Sequence, residues 1–316
     1  MKLTKAEAQK ISNEYDLGKV ISISPLEGGW VNPNQILKTE RGKYVVRILG
    51  VEYNKKKKEQ LELEFVVLKE LRSKKFPYLF PYPLENKKGI HISKIRKKTF
   101  WVYEFIEGEV NKSMNIKKLK EVAKVMALYH KAVKGIKGKP HKLNLDFIES
   151  RYKKIFKTKS KKKVSLFTKK NLPLMEESLE YSKKIDFNEN LVPCHFDLHS
   201  TNIIYSKNKV KGIIDFDNIK FYPRIMDISH FVKSCLFEES VLKKEWFNAF
   251  LKEYNKHNKL SKKEERMIFP MIIYYNNRFF ELFSREDGWK TPESSLHLLN
   301  WIVNTTKGSM REVGLK

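Results

Sequence analysis

A chain of 316 residues is long enough for two units with separate cores, since domains usually run to about 100–200 residues. Its 41% hydrophobic and 12% aromatic content excludes a disordered chain, and no run approaches the ~20 apolar residues of a membrane span. The net charge of +27, from 64 Lys and Arg against 37 Asp and Glu, draws in polyanions and disfavours polycationic substrates, which need clustered carboxylates.

The start, Met1-Lys-Leu-Thr-Lys-Ala-Glu7, reads as an amphipathic helix without an apolar signal core. Val20–Ser24 and Val31–Leu37 alternate as strands, and Arg41-Gly42 makes a turn before a third strand at Tyr44–Ile48. Residues 59–72 place Leu61, Phe65, Leu68 and Leu71 at helical spacing. Pro77, Pro81 and Pro83 punctuate a loop, and His91–Lys94 with Phe100–Tyr103 form a hairpin. Gly108 marks a crossing into a second region. There helical periods dominate, at 116–134, 143–156, 172–184, 225–237, 240–258, 262–284 and 293–308. Residues 157–171, lysine-rich and poorly patterned, are expected to be a mobile loop. The domain reading is residues 1–103, a hinge at 104–109, and 110–316.

Lys55–Lys58, Lys161–Lys163 and Lys262-Lys263 read as solvated faces; a nucleic-acid site would interleave arginine and aromatic residues, so no dedicated nucleic-acid partner is expected. Two cysteines, Cys194 and Cys235, make no disulfide framework, and a reducing cytoplasm is the simplest setting. Cys194 has the apolar neighbours Val192, Pro193 and Phe196 and is expected to be buried packing.

The chemistry is concentrated in residues 195–217. An Asp (Asp197), an Asn five residues later (Asn202) and a second Asp at the end of a strand (Asp215) make a phosphoryl-transfer set. One carboxylate orients a hydroxyl, while an amide oxygen and another carboxylate hold Mg²⁺ on the phosphates of ATP. Leu191-Val-Pro-Cys runs into the loop carrying Asp197 and Asn202. Ile203–Tyr205 and Val210–Ile214, separated by Ser206-Lys-Asn-Lys, form a hairpin that returns Asp215.

His195-x-Asp197-x-x-x-x-Asn202 followed by Ile214-Asp-Phe-Asp217 resembles the aminoglycoside phosphotransferase and choline kinase-like family, relatives of protein kinases. The similarity continues in family order through Glu27–Lys38, Lys43–Ile48, Leu61–Leu71, Phe100–Gly108, Val125–His130 and Tyr222–Ser229, so it covers roughly residues 15–235. The G-x-x-N-x-N form of the first segment is nearest to homoserine kinase-like members. The resemblance implies an α+β, bilobal protein-kinase-like fold: a small β-rich N-lobe with one main helix, a larger α-helical C-lobe, and ATP with Mg²⁺ between them. The expected activity is transfer of the γ-phosphate to a hydroxyl of a small metabolite.

Residue by residue, the resemblance implies Asp197 as catalytic base and Asn202 and Asp215 as metal ligands. Gly28, Gly29, Asn32 and Asn34 belong to the nucleotide loop. Arg47 stands where many relatives carry lysine, with Glu64 as partner, or Glu62 if the register slips. Glu104–Ile106 offer hinge backbone to adenine. His195 and Asp227 are structural, the latter bracing the catalytic loop. Asp217 supports a second metal, meets substrate or caps the next segment. His199 contacts substrate or is a loop residue. Arg278, in the cluster Tyr274–Arg278 with Arg285, binds a substrate carboxylate or packs a helix edge. Three rivals stand beside this reading. One is a non-catalytic nucleotide-binding scaffold, and another is a basic nucleic-acid module. The third is a dinuclear metal hydrolase using His195, Asp197, His199, Asp215 and Asp217.

Overall fold

The computed structural model describes residues 2–26, 34–49, 55–110, 113–160, 162–186, 190–285 and 291–315. Gly28, Gly29 and Asn32 lie outside these residues. The chain divides into two units, Met1–Asn111 with Asn202–Asp217, and Lys112–Thr201 with Asn218–Lys316. The hairpin read as the metal-bearing segment therefore groups with the N-terminal unit, although it follows Asp197 closely in sequence.

The first helix, α1 (Lys5–Glu14), starts where Thr4 caps it: the Glu7 N–H donates to the Thr4 hydroxyl at 3.2 Å, and the Thr4 N–H donates to the Glu7 carboxylate at 2.8 Å. Its Ala8 and Ile11 pack with Leu37, Val46, Ile48, Phe100 and Val102 in the core of this unit. That core covers one face of an antiparallel sheet of β1 (Val20–Pro25), β2 (Gln35–Thr39), β3 (Gly42–Ile48), β4 (Ile92–Ile95) and β5 (Lys98–Glu104), in the order β1-β2-β3-β5-β4. Between β3 and β4 runs α2 (Lys55–Ser73), which buries Leu61, Glu64, Leu68 and Leu71 on one stripe. A short β6 (Glu109–Val110) follows β5.

The second unit opens with α3 (Ile116–Val133), α4 (Leu145–Lys157) and α5 (Lys163–Lys183), then β7 (Leu191–Cys194). Here the loop expected at 157–171 is corrected: α5 begins at Lys163 and buries Val164, Thr168, Leu172, Met175 and Leu179. The structure carries Pro173 inside the helix. After the turn at Ser200–Asn202 the chain rejoins the first unit as β8 (Ile203–Ser206) and β9 (Lys209–Ile213), giving the sheet β6-β8-β9.

Back in the second unit, β10 (Lys220–Pro223) pairs antiparallel with β7, and α6 (Ile225–Cys235) follows. A hairpin of β11 (Phe237–Glu238) and β12 (Val241–Leu242) delays the next helix, α7 (Lys244–His257), relative to the expected start at 240. The helix expected at 262–284 is two, α8 (Lys262–Arg266) and α9 (Ile268–Phe283), followed by α10 (Pro292–Glu312). Tyr152, Met175, Phe280, Leu299 and Ile302 form a core shared by α4, α5, α9 and α10. Asn276 and Asn277 are fully buried in it. Asn276 donates to Thr306 at 2.9 Å, and Asn277 accepts from the Tyr152 hydroxyl at 3.0 Å, so these two amides lock helices together.

Candidate active site

The second unit presents Asp197. The buried strand β7 delivers His195, Phe196 and Asp197 from its end, and Phe196 sits at φ +74°, a left-handed conformation costing about 1–3 kcal/mol. The N–H groups of Phe196 and His195 both donate to the Asp227 carboxylate, at 2.7 and 2.9 Å, and hold the turn against that strain. Asp227, buried in the first turn of α6, also lies 2.9 Å from His130 Nε2, whose ring is completed by the Tyr254 hydroxyl at 2.8 Å. The His195 ring is fully buried, edge-on to Tyr129 with centroids 6.1 Å apart. Asp197 itself is half-buried. The Asn218 amide donates to its carboxylate, and its carbonyl accepts the His199 N–H at 2.8 Å. His199 Nδ1 lies 2.8 Å from the Thr201 hydroxyl.

Cys194 is fully buried, its thiol directed at the carbonyls of Tyr222 and Pro223, and burial lifts its pKa well above the usual thiol value. It is packing, as expected. Among the described residues, the trio of potential ligand side chains that comes together is His130, Cys194 and Asp227. It contains no member of the dinuclear-hydrolase string.

The first unit presents Asn202 and Asp215. The Ile214 N–H donates to the Asn202 carbonyl at 3.0 Å, so the two candidate ligands lie beside each other at the ends of the β8–β9 hairpin. Asp215 is exposed, at φ +67°. Two close approaches fix the hairpin. A Cβ on Gly212 would come within 2.7 Å of the Leu79 carbonyl, and one on Gly108 within 2.4 Å of Ile204. The side chains of Asn202 and Asp215, an amide oxygen and a carboxylate, are hard donors of the kind and number Mg²⁺ takes from protein, the rest coming from water and phosphate oxygens. The residues present fit that ion.

On β3 of the same unit, Arg47 is 4% exposed and meets Glu64 of α2 at 2.8 Å, with its ζ-carbon 5.1 Å from the Trp101 ring. Glu64 is the partner. Glu62 instead faces Lys58 at the surface, 3.8 Å away. Burial pushes the Glu64 carboxyl upward against the pull of Arg47. Asp217 also pairs with the Arg47 guanidinium, and its backbone carbonyl accepts from Gln60. Asn34 closes the base of the β1–β2 hairpin, its carbonyl accepting the Leu26 N–H at 3.0 Å. Glu104 ends β5 opposite Tyr44, and Ile106 is buried two residues on. Arg278, in the second unit, is engaged by the buried Glu281, which also holds Arg285 at 3.0 Å and Arg151 at 3.5 Å.

Three residues escaped the sequence reading. Lys57 belonged to a run taken as solvated. It is half-buried, and burial together with Arg47 lowers its pKa, while Glu64 and Asp215 pull the other way. Asn218 directly follows the Asp215-Phe-Asp217 triplet and holds Asp197. Lys233 falls on the apolar side of α6, and its spacing gave no signal.

Residues 22–264 match the model of the phosphotransferase enzyme family. The homoserine kinase of Methylobacillus flagellatus is 22% identical over 263 residues, covering 82% of this chain and 77% of the relative. That of Beijerinckia indica subsp. indica is 22% identical over 322 residues, covering 95% and 94%. Among solved structures, a spectinomycin phosphotransferase with ADP and spectinomycin superposes with a TM-score of 0.72 at 14% identity, covering 98% of this chain and 100% of that one. A microcompartment-associated aminopropanol kinase gives 0.69 at 15%, covering 99% of each. These likenesses establish the protein-kinase-like fold, with a β-sheet lobe and a helical lobe. On the family match, which spans most of its length, the chain belongs to the phosphotransferase enzyme family and is a small-molecule kinase working with ATP and Mg²⁺.

Proposed function

We propose that this protein transfers the γ-phosphate of ATP to the hydroxyl of a small homoserine-like metabolite. The observation that carries the reading is the Ile214-to-Asn202 backbone bond. It brings the backbones of the two candidate ligand residues together, in the same unit as the buried Arg47–Glu64 pair, which supports a shared metal site. Asn202 and Asp215 would hold Mg²⁺, which when bound neutralises charge on the β- and γ-phosphates. Arg47 and Lys57 would meet the phosphates, while Asn34 and the Glu104–Ile106 backbone frame the nucleotide. Asp197, positioned by Asn218, accepts the proton of the acceptor hydroxyl and orients its oxygen for in-line attack. Asp227 keeps the loop in its strained turn, and His195 fills the space behind it. Asp217 orients Arg47.

The relatives support this acceptor: two homoserine kinases, each 22% identical, match over up to 95% of this chain. The test is ADP release with Mg²⁺-ATP against L-homoserine, L-serine, amino alcohols, sugars and aminoglycosides. Turnover highest with L-homoserine is expected. Nucleotide binding without turnover of any acceptor would mark a scaffold, and preference for aminoglycosides would overturn the acceptor assignment.

A further inference from the structure

Helix α6 carries three groups at three-residue intervals, Asp227, His230 and Lys233, which places them along one side of the helix. Asp227 holds the loop that bears Asp197, and the His230 ring lies 4.2 Å from the Phe196 ring of that loop. One further step along the helix is the Lys233 ammonium. Lys233 is 2% exposed, and its Nζ has no hydrogen-bond acceptor among the described residues. The Phe279 and Trp301 rings flank it at 4.1 and 4.6 Å from their centroids. An ammonium has three donors, and aromatic faces attract its charge without accepting those hydrogen bonds in full.

Burial pulls the Lys233 pKa down to about 7, and the charge of Asp197 opposes that pull, so the catalytic carboxylate lies within its electrostatic reach. His230, its titratable neighbour on the helix, is held well below its usual value by burial, with Lys233 contributing. A lysine used only for packing would be better replaced by methionine, which fills the same space without a desolvated charge. The arrangement is instead that of a cation awaiting its anion.

We propose that Lys233 binds the carboxylate of the phosphate acceptor, a short hydroxy acid or hydroxy amino acid whose hydroxyl is directed to Asp197. This rests on the phosphotransfer reading above and narrows its acceptor class. Lys233 would be a specificity residue, absent from the bond-making step.

The experiment compares L-homoserine with 3-amino-1-propanol, which lacks only the carboxylate, in wild type, K233M and K233Q. Wild type should prefer L-homoserine. Loss of a charge-assisted bond predicts KM for L-homoserine about 10- to 100-fold higher in both variants, with kcat within about threefold. The kcat/KM for 3-amino-1-propanol should stay within about threefold, and K233M should melt no lower than wild type. Equal kcat losses with both acceptors would show that Lys233 acts on Asp197, and would overturn the proposal. So would a lowered Tm in both variants without an acceptor-selective change.

Calorimetric titration of L-homoserine separates the two levels. Lys233-dependent binding without phosphorylation of any acceptor would sink the phosphotransfer reading and keep this site. Absence of both would sink both.

Discussion

Asp197 and Asp227 are both acidic residues at the catalytic loop, yet their removal has different consequences. Asp197 is half-buried, and its carboxylate is held by Asn218. Asp197→Asn preserves shape and removes the proposed base, so kcat should fall about 10²- to 10⁴-fold with ATP affinity unchanged, as read by single-turnover kinetics and nucleotide titration. Asp227 is buried and satisfies the N–H groups of His195 and Phe196 as well as His130. Asp227→Ala strands these groups, each costing about 1–3 kcal/mol, so denaturant unfolding should show a loss of about 3 kcal/mol or more beside the loss of rate. The adjacency of Asn202 and the end of the hairpin that bears Asp215 was legible because their spacing is local. Glu64 was legible as the Arg47 partner through the family resemblance, with Glu62 left as the alternative register that the structure turns to the surface. Lys233 was not, because what singles it out is that its Nζ meets no acceptor among the described residues, and sequence does not report an environment.

At the scale of elements, the β8–β9 hairpin depends on how closely β6 approaches it. Gly108 stands at φ +152° with its missing Cβ directed at Ile204 and the Tyr205 carbonyl. Gly108→Ala should displace the hairpin ends that carry Asn202 and Asp215, raising KM for Mg²⁺-ATP before it affects the acceptor KM. Steady-state titration of each substrate checks the order.

Helix α1 gives a pH prediction. The Lys98 ammonium, with the Thr4 N–H, holds the Glu7 carboxyl down at about 2. A carboxyl depressed in the folded state contributes stability above its unfolded pKa and loses it as pH falls toward the folded value. Glu7→Gln should therefore destabilise near neutral pH and flatten the loss of stability from the ordinary carboxylate range down to about pH 2, measured by thermal melts across that range. Helix α5 shows where element reading stops. Its lysine-rich first turns bury Val164, Ser165 and Thr168, two of them small polar residues that carry little apolar pattern. The partners that make Val164 core come from α4, α9 and α10, the latter two far away in sequence.

For the whole molecule, the net charge of +27 and the assignment of the hairpin 202–217 to the N-terminal unit bear most on function. A basic surface attracts the triphosphate over distance, an effect that salt removes as the Debye length shrinks from ~30 Å at 0.01 M to ~8 Å at 0.15 M. KM for ATP should rise over that range, with kcat steady. The β-rich then α-rich order was legible in sequence, since periods of two and 3.6 are intrinsic to each segment. Which unit receives residues 202–217 was not, because it depends on pairing with Glu109–Val110 and on the Leu79 bridge to Gly212. Among the described residues no helix is long and apolar enough to cross a membrane.

In the proposed reaction, phosphate moves from magnesium-bound ATP to an alcohol under the control of Asp197. Phosphorus NMR of wild type, D197N and D215N, each with Mg²⁺-ATP and L-homoserine, tests it directly. A new phosphomonoester signal is predicted with wild type alone, with nucleotide binding retained in D197N and its magnesium dependence lost in D215N. Phosphoester formation by D197N at the wild-type rate would contradict it.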